Sequence, residues 1–406
     1  MMKQRSRHIF VVAGEHSGDL LGAKLMSAMR ARSQTPLIFS GVGGEYMEAE
    51  GLKSIFPMSD VAVMGPAAIL ARLPKLVRRV YQTVDAARAI HPDLAVMIDS
   101  PEFTFPIAKR IRRTMPDVPI VNYVSPTVWA WRPGRARKMK PYVDHLLALL
   151  PFEPDAHARL GGPVCSYVGH PMIEKQPWID SLDPRELHLK LGLAAGRPVV
   201  CVLPGSRPNE VRHLMQPFGE AIERLSQRVG PLEVIIPAVP SVKPMIEAAL
   251  KQWPVRPHLV SGEEDKFKAF RLADASLAAS GTVTLELAMA GAPMVVAYRV
   301  GPLTAKLRFL LNVSSIVLAN HVLAENVFPE LIQEECEPER LSATLAPLLN
   351  DTPERRRQLA ALSSIRAKML LENATPSDRA AEITLGAMGA NILPARTAAP
   401  VLKKAS

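Results

Sequence analysis

Short apolar runs alternate with longer stretches of helical period from one end of the chain to the other. In the first half the runs are Ile9–Ala13, Leu37–Gly41, Leu94–Ile98, Ile120–Tyr123, His145–Leu149 and Ser166–Val168. Helical spacing appears between several of them, as at Leu20–Arg32 and Phe105–Met115. In the second half the runs are Val199–Leu203, Glu233–Pro237, His258–Val260, Ser276–Ala279 and Met294–Tyr298. Glu210–Val229, Pro244–Gln252, Asp265–Ala273 and Val283–Ala290 read as helices. Strands that are almost wholly apolar are covered on both faces, which predicts a parallel sheet. Strict β/α alternation predicts doubly wound units with right-handed crossovers.

The rhythm restarts after Gly169-His170-Pro171. Glu174–Gly196 is polar and helical, and Arg197-Pro198 then opens a fresh strand. The expected organisation is α/β, with two Rossmann-like doubly wound parallel-sheet domains facing across a cleft. Residues 1–172 form the first and 173–345 the second. Helices of 346–390 pack across the domains, and 391–406, which has no acidic residue, is a flexible basic tail.

Composition narrows the partners. The 406 residues are 48% hydrophobic and 22% charged, which suits a globular chain and excludes bulk disorder. A net charge of +10 points to anionic partners. The three cysteines, Cys165, Cys201 and Cys336, form no CxxC pair, which disfavours a cysteine zinc site and fits a reducing cytoplasm. Ile9–Ala13 is too short for a signal-peptide core, and no run reaches the roughly 18 apolar residues of a membrane span. Val61–Ala71 is uncharged, and the next residues, Arg72, Leu73, Lys75, Arg78 and Arg79, continue it as a basic amphipathic stretch. Such a segment is either interfacial or a core helix with a basic outer face.

In open parallel sheets ligands bind beyond the carboxyl ends of the strands, so the loops there carry the candidate chemistry. Gly14-Glu15-His16-Ser17-Gly18-Asp19 follows the first strand. It lacks the G-x-G-x-x-G pattern of a dinucleotide site, and Ser17 or Asp19 could simply cap the next helix. Asp99 ends the apolar run Leu94–Ile98, where a carboxylate could act as a general base or cap the helix beginning near Glu102. Ser125-Pro126-Thr127-Val128-Trp129-Ala130-Trp131-Arg132, with Arg135 beyond, sets aromatics beside cations. It could stack bases, sit at an interface or hold a phosphate, and its failure to recur along the chain argues against nucleic acid. In the second half Pro204-Gly205-Ser206-Arg207 opens a long helix, so its amides and the Arg207 fork suit a diphosphate. Ser280-Gly281-Thr282 supplies a second turn of the same kind. Glu286 within its apolar helix needs a partner, and two ribose hydroxyls would serve.

Together these motifs resemble the lipid-A-disaccharide synthase family over residues 8–385. The segment Pro329-Glu330-Leu331-Ile332-Gln333 also matches, as does Gly169-His170-Pro171. Leu318-Ala319-Asn320-His321 keeps the family's asparagine but not the proline before it. The resemblance implies a metal-independent, inverting glycosyltransferase of the two-Rossmann-domain GT-B type. Its substrates would be UDP-2,3-diacylglucosamine and 2,3-diacylglucosamine 1-phosphate, its products a β-1,6-linked disaccharide 1-phosphate and UDP. It would need no cofactor or metal.

The same resemblance implies roles. Asp99 would activate or orient the acceptor hydroxyl, with Glu15 and Ser17 on the acceptor side. Arg207, Gly205, Ser206, Ser280, Gly281 and Thr282 would hold the diphosphate, Glu286 the ribose, and Asn320 and Gln333 would lie near the nucleotide. Arg132 and Arg135 are candidates for the acceptor phosphate. Val63, Met64, Ile69, Leu70, Leu73, Arg72, Lys75, Arg78 and Arg79 would meet acyl chains and an anionic membrane. The expected location is cytoplasmic, peripheral to the inner membrane, with a homodimer among the partners and no nucleic acid. The competing readings are a UDP-sugar epimerase of the same architecture and a non-catalytic nucleotide-binding protein of the membrane surface.

Overall fold

The computed structural model describes residues 5–62, 66–301 and 315–389, with backbone alone at 66–71. Two compact units result, one from residues up to 174 together with 371–389, the other from 175–370. The helices beyond residue 346 therefore divide: Pro353–Met369 belongs to the second unit and Pro376–Ala387 to the first.

The first unit holds seven strands: β1 (Arg7–Ala13), β2 (Leu37–Val42), β3 (Lys53–Ser54), β4 (Leu94–Ile98), β5 (Ile120–Tyr123), β6 (His145–Ala148) and β7 (Val164–Tyr167). Their order is β3-β2-β1-β4-β5-β6-β7, and every pair is parallel. The period of two divides the side chains between two cores. Phe10, Val12, Met97 and Ile120 fill one face, Ile9, Val11, Val96, Ile98 and Tyr123 the other. All five residues of β4 are buried, as its unbroken apolar run predicts.

The second unit holds β8 (Val199–Leu203), β9 (Glu233–Pro237), β10 (His258–Val260), β11 (Ala275–Ala279), β12 (Met294–Tyr298) and β13 (Glu330–Ile332). The order is β10-β9-β8-β11-β12-β13, again all parallel. β8 and β11 are wholly buried.

Each sheet reverses its winding direction once, at β1/β4 in the first unit and at β8/β11 in the second. Loops leaving adjacent strands at such a point turn away from each other and open a crevice at the carboxyl ends. The four loops concerned are those after Ala13, Ile98, Leu203 and Ala279, which carry the sharpest sequence motifs.

Candidate active site

The first crevice is built by two turns in close contact. Gly14 leads from β1 into the helix His16–Arg32, and a Cβ there would lie 2.8 Å from both Cβ and Oγ of Ser100. Only glycine lets the two loops approach this closely. Glu15 takes an extended backbone at the helix start and makes no side-chain cap. Ser17 is exposed in the first turn. Asp19 does not cap its own helix. It is fully buried and accepts from the backbone N–H groups of Gly44 (2.8 Å), Tyr46 (3.0 Å) and Met47 (3.1 Å), pinning the neighbouring loop.

Asp99 and Ser100 both sit in the left-handed region, at φ 51° and 43°. This conformation is uncommon outside glycine and turns the chain sharply as β4 ends. The turn is anchored by Asp99 N–H donating to Tyr123 O (2.9 Å) and by the Thr104 hydroxyl donating to Asp99 O (2.7 Å). The following helix, Pro101–Thr114, has no side-chain cap, so the Asp99 carboxylate is not consumed in capping. Burial raises the Asp99 pKa, the Ser100 N–H opposes it, and the Glu102 charge adds to the rise. Burial likewise raises Glu15, the negative charges of Asp99 and Glu102 raise it further, and the Ser100 hydroxyl opposes the rise. Two carboxylates held above their ordinary range in one crevice suit proton transfer near neutral pH.

A cavity of about 230 Å³ opens beside Asp99, with Phe105, Asn122, Ser125, Thr127 and Arg135 among its lining. The Arg135 guanidinium reaches Glu102 at 3.1 Å and lies 5.9 Å from the Phe105 ring centre. Arg132, at φ 53°, is exposed over the Trp131 ring at 5.2 Å. The loop bearing these residues rests on Glu153, only 3% exposed. Its carboxylate accepts from the N–H groups of Leu149 (3.1 Å) and Leu150 (3.0 Å) and from the Trp129 indole (3.4 Å). Ser125 Oγ lies 3.0 Å from Nε2 of the buried His157.

In the second unit Gly205 has φ 108°, and a Cβ there would come within 2.4 Å of Glu210 Oε2. The turn wraps that carboxylate. Glu210 accepts from Ser206 N–H (3.0 Å) and Arg207 N–H (3.2 Å), and pairs with the Arg207 guanidinium at 3.2 Å. These two amides are thus engaged by Glu210 rather than turned outward, which corrects the expectation that they converge on an external anion. The Arg207 side chain remains 70% exposed. Across the switch point, Gly281 has φ 152° with open space around the position of a Cβ, and Thr282 is exposed at the start of the helix Val283–Ala290. The Ser280 hydroxyl donates to Ile316 O (2.8 Å). Tyr298, at the end of β12, is close enough for the Glu210 charge to assist burial in raising its pKa.

Three expected nucleotide contacts have other partners. Glu286 is half-buried and both its oxygens lie 3.0 Å from Lys266 Nζ, so its charge is already compensated. Asn320 is 2% exposed. Its amide donates to Phe328 O (3.0 Å) and Glu330 (3.1 Å), and its oxygen accepts from the N–H groups of Val327 and Phe328 (3.0 Å each). Gln333 exchanges two bonds with the Val300 backbone, at 2.7 and 3.3 Å. Asn320 and Gln333 thus brace loops at the sheet's carboxyl end, since buried amides must be matched.

Of the expected membrane-facing residues, Val63 and Met64 lie outside the described residues, as do the side chains of Ile69 and Leu70 and the tail 391–406. Leu73 is 44% exposed on the helix Pro66–Ile90, and Val77 (45%) and Tyr81 (51%) continue it at four-residue spacing. Arg72 and Arg78 are exposed beside this stripe. Lys75 and Arg79 are instead paired with Asp60, and Arg79 stacks on Phe56 at 4.5 Å. Among the described residues no helix is long and apolar enough to cross a membrane, and no cluster of His, Cys, Asp and Glu could hold a metal ion.

The family description of lipid-A-disaccharide synthetase matches residues 9–384. The lipid-A-disaccharide synthase of Nitrobacter winogradskyi is 50% identical over 384 residues, 94% of this chain and 96% of that protein. The one from Rhodopseudomonas palustris strain BisB18 is 50% identical over 398 residues, 98% of each. Among solved structures, UDP-GlcNAc 2-epimerase from Neisseria meningitidis bound to UDP-GlcNAc superposes with a TM-score of 0.57 at 12% identity, covering 94% of this chain and 98% of that one. Acinetobacter baumannii MurG gives 0.55 at 13% identity, covering 94% and 99%. At such identities these structures share the fold alone. The match of sequence along nearly the whole length shows that this chain belongs to the lipid-A-disaccharide synthetase family.

Proposed function

We propose that this enzyme transfers 2,3-diacylglucosamine from its UDP derivative to the 6-hydroxyl of 2,3-diacylglucosamine 1-phosphate, forming the β-1,6-linked disaccharide 1-phosphate and releasing UDP. The observation that carries the reading is the placement of the motif residues. In each parallel sheet they leave the strands at the one point where winding reverses, and the two crevices carry complementary chemistry, carboxylates in one and an exposed guanidinium in the other.

Asp99 takes the proton of the acceptor hydroxyl as its oxygen attacks the anomeric carbon. Its raised pKa brings proton affinity closer to that needed at neutral pH, and Glu15 can share the proton afterwards. Arg207 meets the diphosphate, where negative charge grows as the sugar–oxygen bond breaks. The turn Ser280-Gly281-Thr282, at the N-terminal end of the helix Val283–Ala290, adds to that stabilisation. Glu286, steadied by Lys266, accepts from the ribose hydroxyls. A single in-line displacement inverts the anomeric centre. Arg132 and Arg135 serve the acceptor phosphate. The stripe Leu73, Val77 and Tyr81, flanked by Arg72 and Arg78, rests on an anionic membrane at the cytoplasmic face and gives access to acylated substrates.

The purified protein, mixed with both lipid substrates in detergent, should give UDP and disaccharide in equal amounts and only when both substrates are present. Conversion of the UDP-sugar into an isomer without acceptor would favour the epimerase reading. Nucleotide binding with no product would favour a non-catalytic role.

A further inference from the structure

The cavity beside Asp99 contains a polar group that the reaction as described does not use. Asn122 lies on β5 opposite Met97 of β4. Side chains two apart on a strand share a face, so Asn122 leaves the sheet on the side of Met97 and Asp99. It is 1% exposed, in a layer otherwise filled by residues such as Met97, Ile120 and Phe105. Its Nδ2 donates to Val124 O at 2.9 Å. A carbonyl can only accept, so the amide nitrogen must face it and Oδ1 is turned away. Among the described residues Oδ1 has no hydrogen-bond partner, although the side chain lines the cavity. Buried acceptors of this kind are normally matched.

Two further features mark the position. The bond to Val124 O holds a β-branched residue at φ 81°, a backbone conformation that valine rarely adopts and that concentrates at functional sites. Of the other polar groups of the cavity, Ser125 has His157 at 3.0 Å and Arg135 has Glu102 at 3.1 Å. Asp99 and Asn122 therefore offer two hydrogen-bond acceptors on one face of adjacent strands.

Resting on the transfer reaction above, we propose that Asn122 Oδ1 accepts from the 4-hydroxyl of the acceptor sugar and selects acceptors by that group. The acceptor carries phosphate at C1 and acyl groups at C2 and C3. Its free hydroxyls are at C4 and C6. The 6-hydroxyl gives its proton to Asp99, and the neighbouring 4-hydroxyl is the donor that an amide oxygen beside Asp99 can take. Asn122 is then a binding residue that orients the ring for attack by O6, and it does so without a charge that would compete for the proton.

The test uses the full chain and two acceptors, diacylglucosamine 1-phosphate and its 4-deoxy analogue. The wild type should lose about tenfold in kcat/KM on the 4-deoxy acceptor, the size expected when a buried acceptor is left unmatched. Asn122→Ala should be slower on the normal acceptor and show no further loss on the analogue. Asn122→Asp keeps an acceptor oxygen but loses the donor to Val124 O and adds a charge beside Asp99, so kcat should fall on both acceptors while the discrimination against the analogue returns, which a merely structural role would not do. A wild type indifferent to the 4-hydroxyl, or an Asn122→Ala variant that discriminates as strongly as wild type, overturns the proposal. A wild type that transfers to neither acceptor overturns the transfer reading itself. Should Asn122→Ala fail to fold, the wild-type comparison and Asn122→Asp still decide.

Discussion

Glu153→Gln isolates the cost of holding a carboxylate beneath the Trp129 loop. Burial pushes the Glu153 pKa up from 4.5 to about 7, against the opposing hydrogen bonds from the Leu150 and Leu149 amides, Ser125 and Trp129. A group that binds its proton more tightly when folded adds stability that is complete below the unfolded pKa. That stability is lost as pH rises through the folded one. The window is therefore about pH 4.5 to 7. At 1.36 kcal/mol per unit the rise amounts to on the order of 3 kcal/mol. Glutamine cannot ionise, and it keeps an oxygen for the two amides at a loss of about 1 kcal/mol. The variant should be slightly less stable than wild type at pH 4.5 and more stable, by roughly 2 kcal/mol, at pH 8. Urea titrations followed by tryptophan fluorescence across this range give the difference. Subtracting the two proteins cancels His157 and His170, which burial lowers to about 4 and which change stability in the opposite sense. A difference that does not vary with pH would refute the reasoning, since it would mean that Glu153 keeps an ordinary pKa.

Gly205→Ala should weaken UDP binding by about tenfold or more, because a Cβ at φ 108° meets Glu210 at 2.4 Å and forces the Arg207 turn open; calorimetry with UDP reads it. The acid limb of kcat/KM should lie above the usual carboxylate range, since burial raises both Asp99 and Glu15 and activity needs the deprotonated base. Glu102→Gln should move that limb to lower pH by removing the charge that helps raise both groups. Replacing Leu73, Val77 and Tyr81 by serine should release the protein from anionic vesicles in a flotation assay while leaving turnover of detergent-dispersed substrates nearly unchanged. Continued flotation would place the docking surface elsewhere.

The strands beside the crevices were legible because burial on both faces leaves an unbroken apolar run, as in β4, β8 and β11. Two edge strands were not. β3 is two residues long, and β13 is half-buried with Glu330 in its first position, so neither carries such a run. The glycines and Asp99 could be placed from sequence because a turn after a parallel strand has a fixed location. What those turns bind to could not. The pairing of Lys266 with Glu286 joins residues from different helices, and that of Lys75 and Arg79 with Asp60 joins a helix to the loop before it. Glu210 had a readable signal, a carboxylate three positions into the helix that follows Arg207, which is the spacing at which a side chain reaches back to the start of its own helix. Asn320 looked available as a polar residue near the nucleotide, yet its burial and its hydrogen bonds to Ser315, Val327, Phe328 and Glu330 make it a brace. Asn122 and Glu153 were passed over because single polar residues in apolar surroundings give no periodic signal.

The division of labour between the two crevices is tested most directly by Asp99→Asn, measured for turnover and for UDP affinity on the same preparation. The account predicts turnover lower by about 10²–10⁴, the usual worth of a general base, with UDP affinity within about twofold of wild type. Loss of UDP affinity in step with turnover would contradict it.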